Sequence, residues 1–293
     1  MQPGLVARGY GSVVLRPMPG QLLQDTPAPG VLRLRISNPA KRGALDFPIL
    51  DGIAEALDSL DESVRCVLLT GEPGVFSSGY DIGNIAGDRT ADAAEPLVAH
   101  PFASALEALD RTDIPTVAAL SGHTIGGGLE LAVSCDIRIA RDDIKLGMPP
   151  AKLGLIYSYT GLWRFIDAIG EPRTRDLFFR GRTITAARAE RWGLITELVE
   201  EPSELGGRES DQALAEALET ASVKLAAEIA GNSPLSIQGN KRQLRAILNA
   251  RRSIPADIEE QLLAERRACF QSEDFLEGVT AFAERRRPVW KGR

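Results

Sequence analysis

Apolar and polar positions change period repeatedly along this chain. Val31-Leu-Arg-Leu-Arg-Ile36 alternates apolar with basic side chains, the pattern of a half-buried strand. Asn38-Pro39 then marks a turn, and Phe47–Leu60 carries Ile49, Leu50, Ile53, Ala54, Leu57 and Leu60 at helical spacing. Val64–Thr70 is a short apolar run with the β-branched content of a buried strand, stopped by Gly71-Glu-Pro-Gly74. Val117–Leu120 and Ile137–Ala140 read as further strands, separated by a glycine turn and a short helix at Leu129–Cys135. Strand and helix signals alternate to about Leu198, which predicts α/β layering rather than an all-β barrel. After a polar stretch at Glu201–Asp211, helical patterns fill Gln212–Ala230, Pro234–Asn249, Ile254–Cys269 and Asp274–Glu284, with Ser233-Pro234 as a helix start. The expected organisation is an N-terminal arm at 1–30, a mixed α/β core at 31–205 and a helical C-terminal region at 206–293.

Composition narrows the class. The 293 residues are 44% apolar and 25% charged, as in ordinary globular proteins. With 34 Lys and Arg against 40 Asp and Glu, the net charge is −6, which gives no general attraction to a phosphate backbone and argues against a nucleic-acid partner. Cys66, Cys135 and Cys269 form no CxxC pair, and the two histidines, His100 and His123, have no metal-ligand spacing, so neither a disulfide framework nor a metal site is expected. This cysteine usage fits a reducing cytoplasm. The proline-rich first thirty residues lack a basic-then-apolar order. Thr116–Cys135 is apolar with Gly122 and Gly126 at GxxxG spacing, but His123, Glu130 and three consecutive glycines argue against a membrane helix.

Two glycine segments are the candidates for chemistry. Val75-Phe-Ser-Ser-Gly-Tyr-Asp81 follows a strand, and Gly122-His-Thr-Ile-Gly-Gly-Gly-Leu-Glu-Leu131 leads into a helix. Glycines let backbone N–H groups approach a ligand, and a helix start adds unpaired donors and the positive end of its dipole. Two such loops converging on one oxygen would make an oxyanion hole; each taken alone is also an ordinary tight turn. Glu130, in the first turn of an apolar helix, is either a dipole-stabilised helix acid or a buried general acid or base.

Four segments together resemble the enoyl-CoA hydratase/isomerase (crotonase) superfamily: Asn38-Pro-Ala-Lys-Arg-Gly-Ala-Leu45, Phe76-Ser-Ser-Gly-Tyr-Asp-Ile82, Gly122–Leu131, and Ser272–Pro288. They occur in the family's order and spacing over about Val31 to Lys291. The resemblance implies a spiral of ββα units with a helical C-terminal region that packs trimers, often paired into hexamers. It implies an acyl-CoA thioester as substrate, with CoA arriving as part of that substrate and no separate cofactor. Ser78 and Gly127 would supply the two oxyanion N–H groups, and Glu130 matches the first of two glutamates used by hydratases. Lys41, Arg42 and Ala44 match the loop along CoA, with Gly79, Tyr80 and Ile82 lining the substrate beside it. Phe282 and Arg285 match positions that approach CoA from a neighbouring subunit.

One departure bears on the reaction. Gly147-Met-Pro-Pro150 places Pro150 where the second glutamate belongs, and proline moves no proton. Met148–Tyr157 instead resembles methylmalonyl-CoA decarboxylases, which carry a tyrosine at the Tyr157 position. Tyr157 and Tyr80 are candidates to orient a departing carboxylate, or else core residues with satisfied hydroxyls. The expectation is an acyl-CoA lyase acting through a bound enolate with one glutamate. A methylmalonyl-CoA-type decarboxylase and a non-catalytic acyl-CoA-binding member are the alternatives.

Overall fold

The computed structural model describes residues 19–81, 91–200 and 207–293, with side chains from 101 and from 211 onward in the last two stretches. In chain order the elements are β1 (Gln21–Ala28), β2 (Val31–Ser37), α1 (Phe47–Asp58), β3 (Cys66–Thr70), β4 (Gly74–Ser77), α2 (Ala91–Arg111), β5 (Thr116–Leu120), β6 (Gly122–Ile125), α3 (Gly127–Ser134), β7 (Ile137–Arg141) and β8 (Lys145–Gly147). There follow α4 (Tyr159–Ile169), α5 (Glu171–Arg180), β9 (Thr183–Thr185), α6 (Ala186–Trp192), β10 (Glu197–Val199), α7 (Gly207–Gly231), α8 (Pro234–Arg251), α9 (Ala256–Phe270) and α10 (Glu273–Ala283).

Period-2 side chains explain the larger sheet, ordered β1-β2-β3-β5-β7-β10 and parallel except for the β1–β2 pair. Val67, Leu69, Ala118, Leu120 and Ala140 face the main core, while Cys66, Leu68, Val117, Ala119 and Ile139 face Leu218 and Ala226 of α7. A strand buried on both faces needs a largely apolar run, which β3 and β5 supply; in β7 the run is broken by Arg138, whose guanidinium donates to the Leu194 and Cys135 carbonyls. The basic face of β2 is also covered: Arg33 pairs with Asp25 and Glu219, and Arg35 lies 3.7 Å from Glu219. A smaller sheet, β4-β6-β8-β9, packs beside the first and carries both glycine loops.

Two expected boundaries move. Part of the N-terminal arm is sheet: Gln21–Ala28 pairs antiparallel with β2, while residues 1–18 lie outside the described residues. Its mostly exposed, polar side chains hid the strand, because pairing here is made by the backbone. The helix expected from Gln212 begins at Gly207, within the stretch read as linker. Ser233 occupies the N-cap of α8 without a side-chain capping bond. No helix among the described residues is long and apolar enough to cross a membrane.

The C-terminal helices grip one segment of the core. Cys269 of α9 accepts from Ile156 N at 3.3 Å and donates to the Gly154 carbonyl at 3.0 Å. Gly278 of α10 packs against Leu153, where an added Cβ would lie 2.4 Å from the carbonyl oxygen. Phe270, Phe275 and Val279 close over Leu155. By contrast α8 buries none of its residues within the chain and leaves Leu235, Leu244 and Ile247 exposed, tied to the body by Lys241–Asp136 and Arg245–Asp113 ion pairs at 2.7 and 2.6 Å.

Beyond α10 the tail folds back on that helix. Val289 N donates to Glu277, and Lys291 N and Gly292 N donate to Asp274, at 2.7–2.9 Å. Arg286 also bonds Glu277 and holds its carboxyl down at about 2. A depressed folded-state pKa means that this contact is intact above the ordinary glutamate range and is lost as pH falls through that range toward 2. In a W163F/W192F variant, fluorescence of Trp290 should therefore change in that acid window, and E277Q should abolish the transition.

Candidate active site

The two glycine loops meet, and their geometry comes from backbone conformations that only glycine adopts easily. Gly79 has φ +101° after β4, and Gly126 has φ +56° before α3. Gly128 lets α3 approach the first loop, because an added Cβ would lie 2.6 Å from that of Ser77. Gly127 is the first residue of α3, so its N–H has no intrahelical acceptor and sits at the positive end of the helix dipole.

Ser78, expected to offer its N–H beside Gly127, has that N–H engaged elsewhere. Ser78 N donates to the Arg42 carbonyl at 3.0 Å, and the Ser78 hydroxyl donates to the Lys41 carbonyl at 3.0 Å. Those bonds fasten the first loop to residues 38–45 and occupy both Ser78 donors. The backbone nitrogen beside Gly127 is that of Tyr80, 3.4 Å from the position of a Gly127 Cβ. The half-buried Tyr80 ring stands edge-on to Phe102 of α2, and Phe102 also lies against Gly127. Burial, with the neighbouring Asp81 charge, pushes the Tyr80 hydroxyl up to about 12, so it stays protonated at neutral pH.

The remaining expected contacts are placed as follows. Lys41 forms an ion pair of 2.5 Å with Asp81, Arg42 is exposed with a left-handed φ of 54°, and Ala44 is buried. Ile82 lies outside the described residues. Phe282 and Arg285 are exposed at the C-terminal end of α10, on the surface rather than around Glu130. His123 accepts from Lys145 N at 3.2 Å, as an ordinary hydrogen-bonded strand histidine.

Glu130 is 2% exposed, one turn into α3. The Tyr157 hydroxyl donates to its Oε2, and Gly161 at the start of α4 leaves room for Oε1, which would lie 2.7 Å from an added Cβ. The Tyr157 ring is held edge-on by Phe178, which packs in turn on Phe165. Burial drives the Glu130 carboxyl above its ordinary value, opposed by the Tyr157 hydrogen bond and by Arg164 and Arg266. Burial and the Glu130 charge push the Tyr157 hydroxyl far up. Pro150 is buried and begins a 3₁₀ turn at Pro150–Leu153, so the backbone that would carry a second acid carries a closed ring instead.

Sequence reasoning missed Arg164 and Asp110. Arg164 lies on the buried stripe of α4 with Gly161, Phe165 and Ile169. Its signal is a lone charge at the core-facing spacing of an amphipathic helix.

A spiral α/β fold, two converging glycine loops and a buried glutamate at a helix start define a crotonase-type chain. The family model for enoyl-CoA hydratase/isomerase matches residues 27–293, and the chain belongs to that family. A probable enoyl-CoA hydratase of Mycobacterium leprae is 34% identical over 265 residues, covering 89% of this chain and 94% of the relative. The mitochondrial methylglutaconyl-CoA hydratase of Mus musculus is 31% identical over 266 residues, covering 90% and 80%. Among solved structures, methylmalonyl-CoA decarboxylase in complex with 2-nitronate-propionyl-CoA superposes with a TM-score of 0.81 at 27% identity, covering 93% of this chain and 99% of that one.

Proposed function

We propose that this chain is an acyl-CoA lyase working through a thioester enolate, and that decarboxylation of a malonyl-type thioester is the reaction its residues fit best. The observation that carries this reading is the Tyr157–Glu130 hydrogen bond in a chain with Pro150 at the second-acid position. Hydration across a double bond asks for one group to activate water and another to deliver a proton. Glu130 is met here by a tyrosine and an arginine instead of a second carboxylate. Decarboxylation asks less of the protein. The thioester oxygen accepts from the Tyr80 and Gly127 N–H groups, the bond from the α carbon to the carboxylate breaks, its electron pair enters the enolate, and carbon dioxide leaves. A proton then returns to the α carbon from water or from Tyr157. The likeness to methylmalonyl-CoA decarboxylase supports this order of preference.

Hydration by Glu130 alone is the second reading, favoured by relatives named as hydratases. In either case CoA enters with the substrate. The exposed apolar positions of α8, with Phe282 exposed on α10 and Arg285 exposed just beyond it, support a homotrimer or a dimer of trimers whose neighbouring subunits complete the CoA site.

Mass-spectrometric turnover of methylmalonyl-CoA and crotonyl-CoA separates the readings. Loss of carbon dioxide from the first without gain of water on the second is expected. Gain of water on crotonyl-CoA would favour hydration, and silence on both with acyl-CoA binding retained would leave a non-catalytic binder. Y157F should lower decarboxylation by about 10–100-fold, the worth of one hydrogen bond to a buried charged group. Unchanged turnover would remove Tyr157 from the reaction.

A further inference from the structure

The Glu130 carboxylate has two oxygens, and the tyrosine accounts for one. The other, Oε1, has no hydrogen-bond partner among the described residues, and neither has the buried Nε of Arg164, which faces it at 3.8 Å. Arg164 is only 9% exposed, so its guanidinium is taken out of water for a reason that lies inside the protein. Its far edge is occupied: Nη2 and Nη1 donate to the two carboxylate oxygens of Asp110 on α2 at 2.7 and 3.4 Å. Asp110 is itself fixed, because Arg245 of α8 donates to its backbone carbonyl at 2.7 Å. A planar guanidinium held along one edge has its remaining N–H direction set. That direction is toward Glu130.

We propose that Arg164 is a positioning residue: pinned by Asp110, it holds its Nε edge against Oε1 of Glu130, so that the buried carboxylate keeps its charge and orientation while Oε2 engages Tyr157. The inference concerns the site of the enolate reaction proposed above and rests on that reading for its activity readout alone. The groups that face Glu130 are Tyr157 from the segment before α4, Gly161 and Arg164 from α4, Arg266 from α9 and Asp110 from α2. Of these, Arg164 is the cation with an ion-pair distance to the carboxylate. An opposite charge that close favours the ionised acid, whereas burial alone favours the neutral one. Without Arg164, Glu130 would take up a proton at a higher pH and lose the fixed aim of Oε1.

Infrared difference spectroscopy across pH on the whole 293-residue chain tests this directly. The band of the protonated Glu130 carboxyl is assigned by its loss in E130Q, and its midpoint is compared among wild type, R164M and R164K. R164M is expected to raise the midpoint by about one to two pH units. R164K keeps the charge without the fork and should titrate closer to wild type than to R164M. The acidic limb of the kcat profile should move in parallel. R164Q replaces R164M should the latter fail to fold. An unchanged midpoint in R164M, or an equal shift in R164K, would overturn the proposal, since packing alone would then explain the residue. Undiminished turnover in E130Q would sink the enolate role of Glu130 yet leave the infrared comparison standing as a separate answer.

Discussion

Gly127→Pro is expected to lower turnover by about 10²–10³-fold while leaving the fold in place. The magnitude is that of removing one oxyanion donor. Proline deletes the backbone N–H, and it is tolerated at the first position of a helix, where that N–H has no intrahelical partner. Gly127 is that first residue of α3. Any substitution here also adds a Cβ, 3.3 Å from the Phe102 ring and 3.4 Å from Tyr80 N. Gly127→Ala is therefore the control for the added Cβ, with the N–H retained. Turnover that collapses in the proline variant and survives largely in the alanine variant assigns the loss to the donor. Equal losses would assign it to crowding and remove the oxyanion role from Gly127. Melting curves of both variants show whether α3 still forms.

Gly122→Ala is expected to destabilise the chain by about 3 kcal/mol or more, near the upper end for a single methyl group. The new Cβ would lie 2.1 Å from the carbonyl oxygen of Gly74 and 2.4 Å from Val75 N. Those atoms belong to the β4 strand paired with β6, so no side chain can swing aside. Relief requires the two strands to part at the root of both glycine loops. For a chain of this size the loss corresponds to a fall of roughly 6–12 °C in Tm. Gly74→Ala makes a useful contrast, since nothing lies within 4 Å of its added Cβ and its φ of +80° is the sole strain. A Tm for Gly122→Ala within a degree or two of wild type would mean that the sheet is looser than its geometry implies.

Much of the fold was legible because its signals are local. The buried strands β3 and β5 are short apolar runs, β7 alternates apolar residues with arginine, and α1, α9 and α10 follow helical spacing within a few residues of the expected ends. The strand Gln21–Ala28 was not legible, since an edge strand recruited by backbone pairing needs no apolar alternation. The site divides in the same way. The glycine run and the apolar pattern after it located the helix start at Gly127 and put Glu130 in its first turn. Ser78 was misread because the residue whose N–H faces Gly127 depends on the turn at Gly79 and on an Arg42 carbonyl from another loop, which consumes the Ser78 donor. Tyr157 was found by resemblance, but its bond to Glu130 depends on where α4 docks. Arg164 and Asp110 meet only in the folded chain, as an ion pair reaching from α4 to α2.

The grip of α9 and α10 on residues 153–156 has a consequence for how such chains diverge. The segment that ends in Tyr157 is set from beneath by helices that leave Leu276 and Phe282 exposed on their outer side. The proposed reaction and any assembly through these helices would thus depend on the same stretch of polypeptide. A recombinant that joins the first 200 residues of this chain to the helical end of a two-glutamate relative would inherit the oxyanion loops but not the seat of the tyrosine. A graft that keeps the seat of Tyr157 is expected to need residues 148–157 and the C-terminal helices moved together.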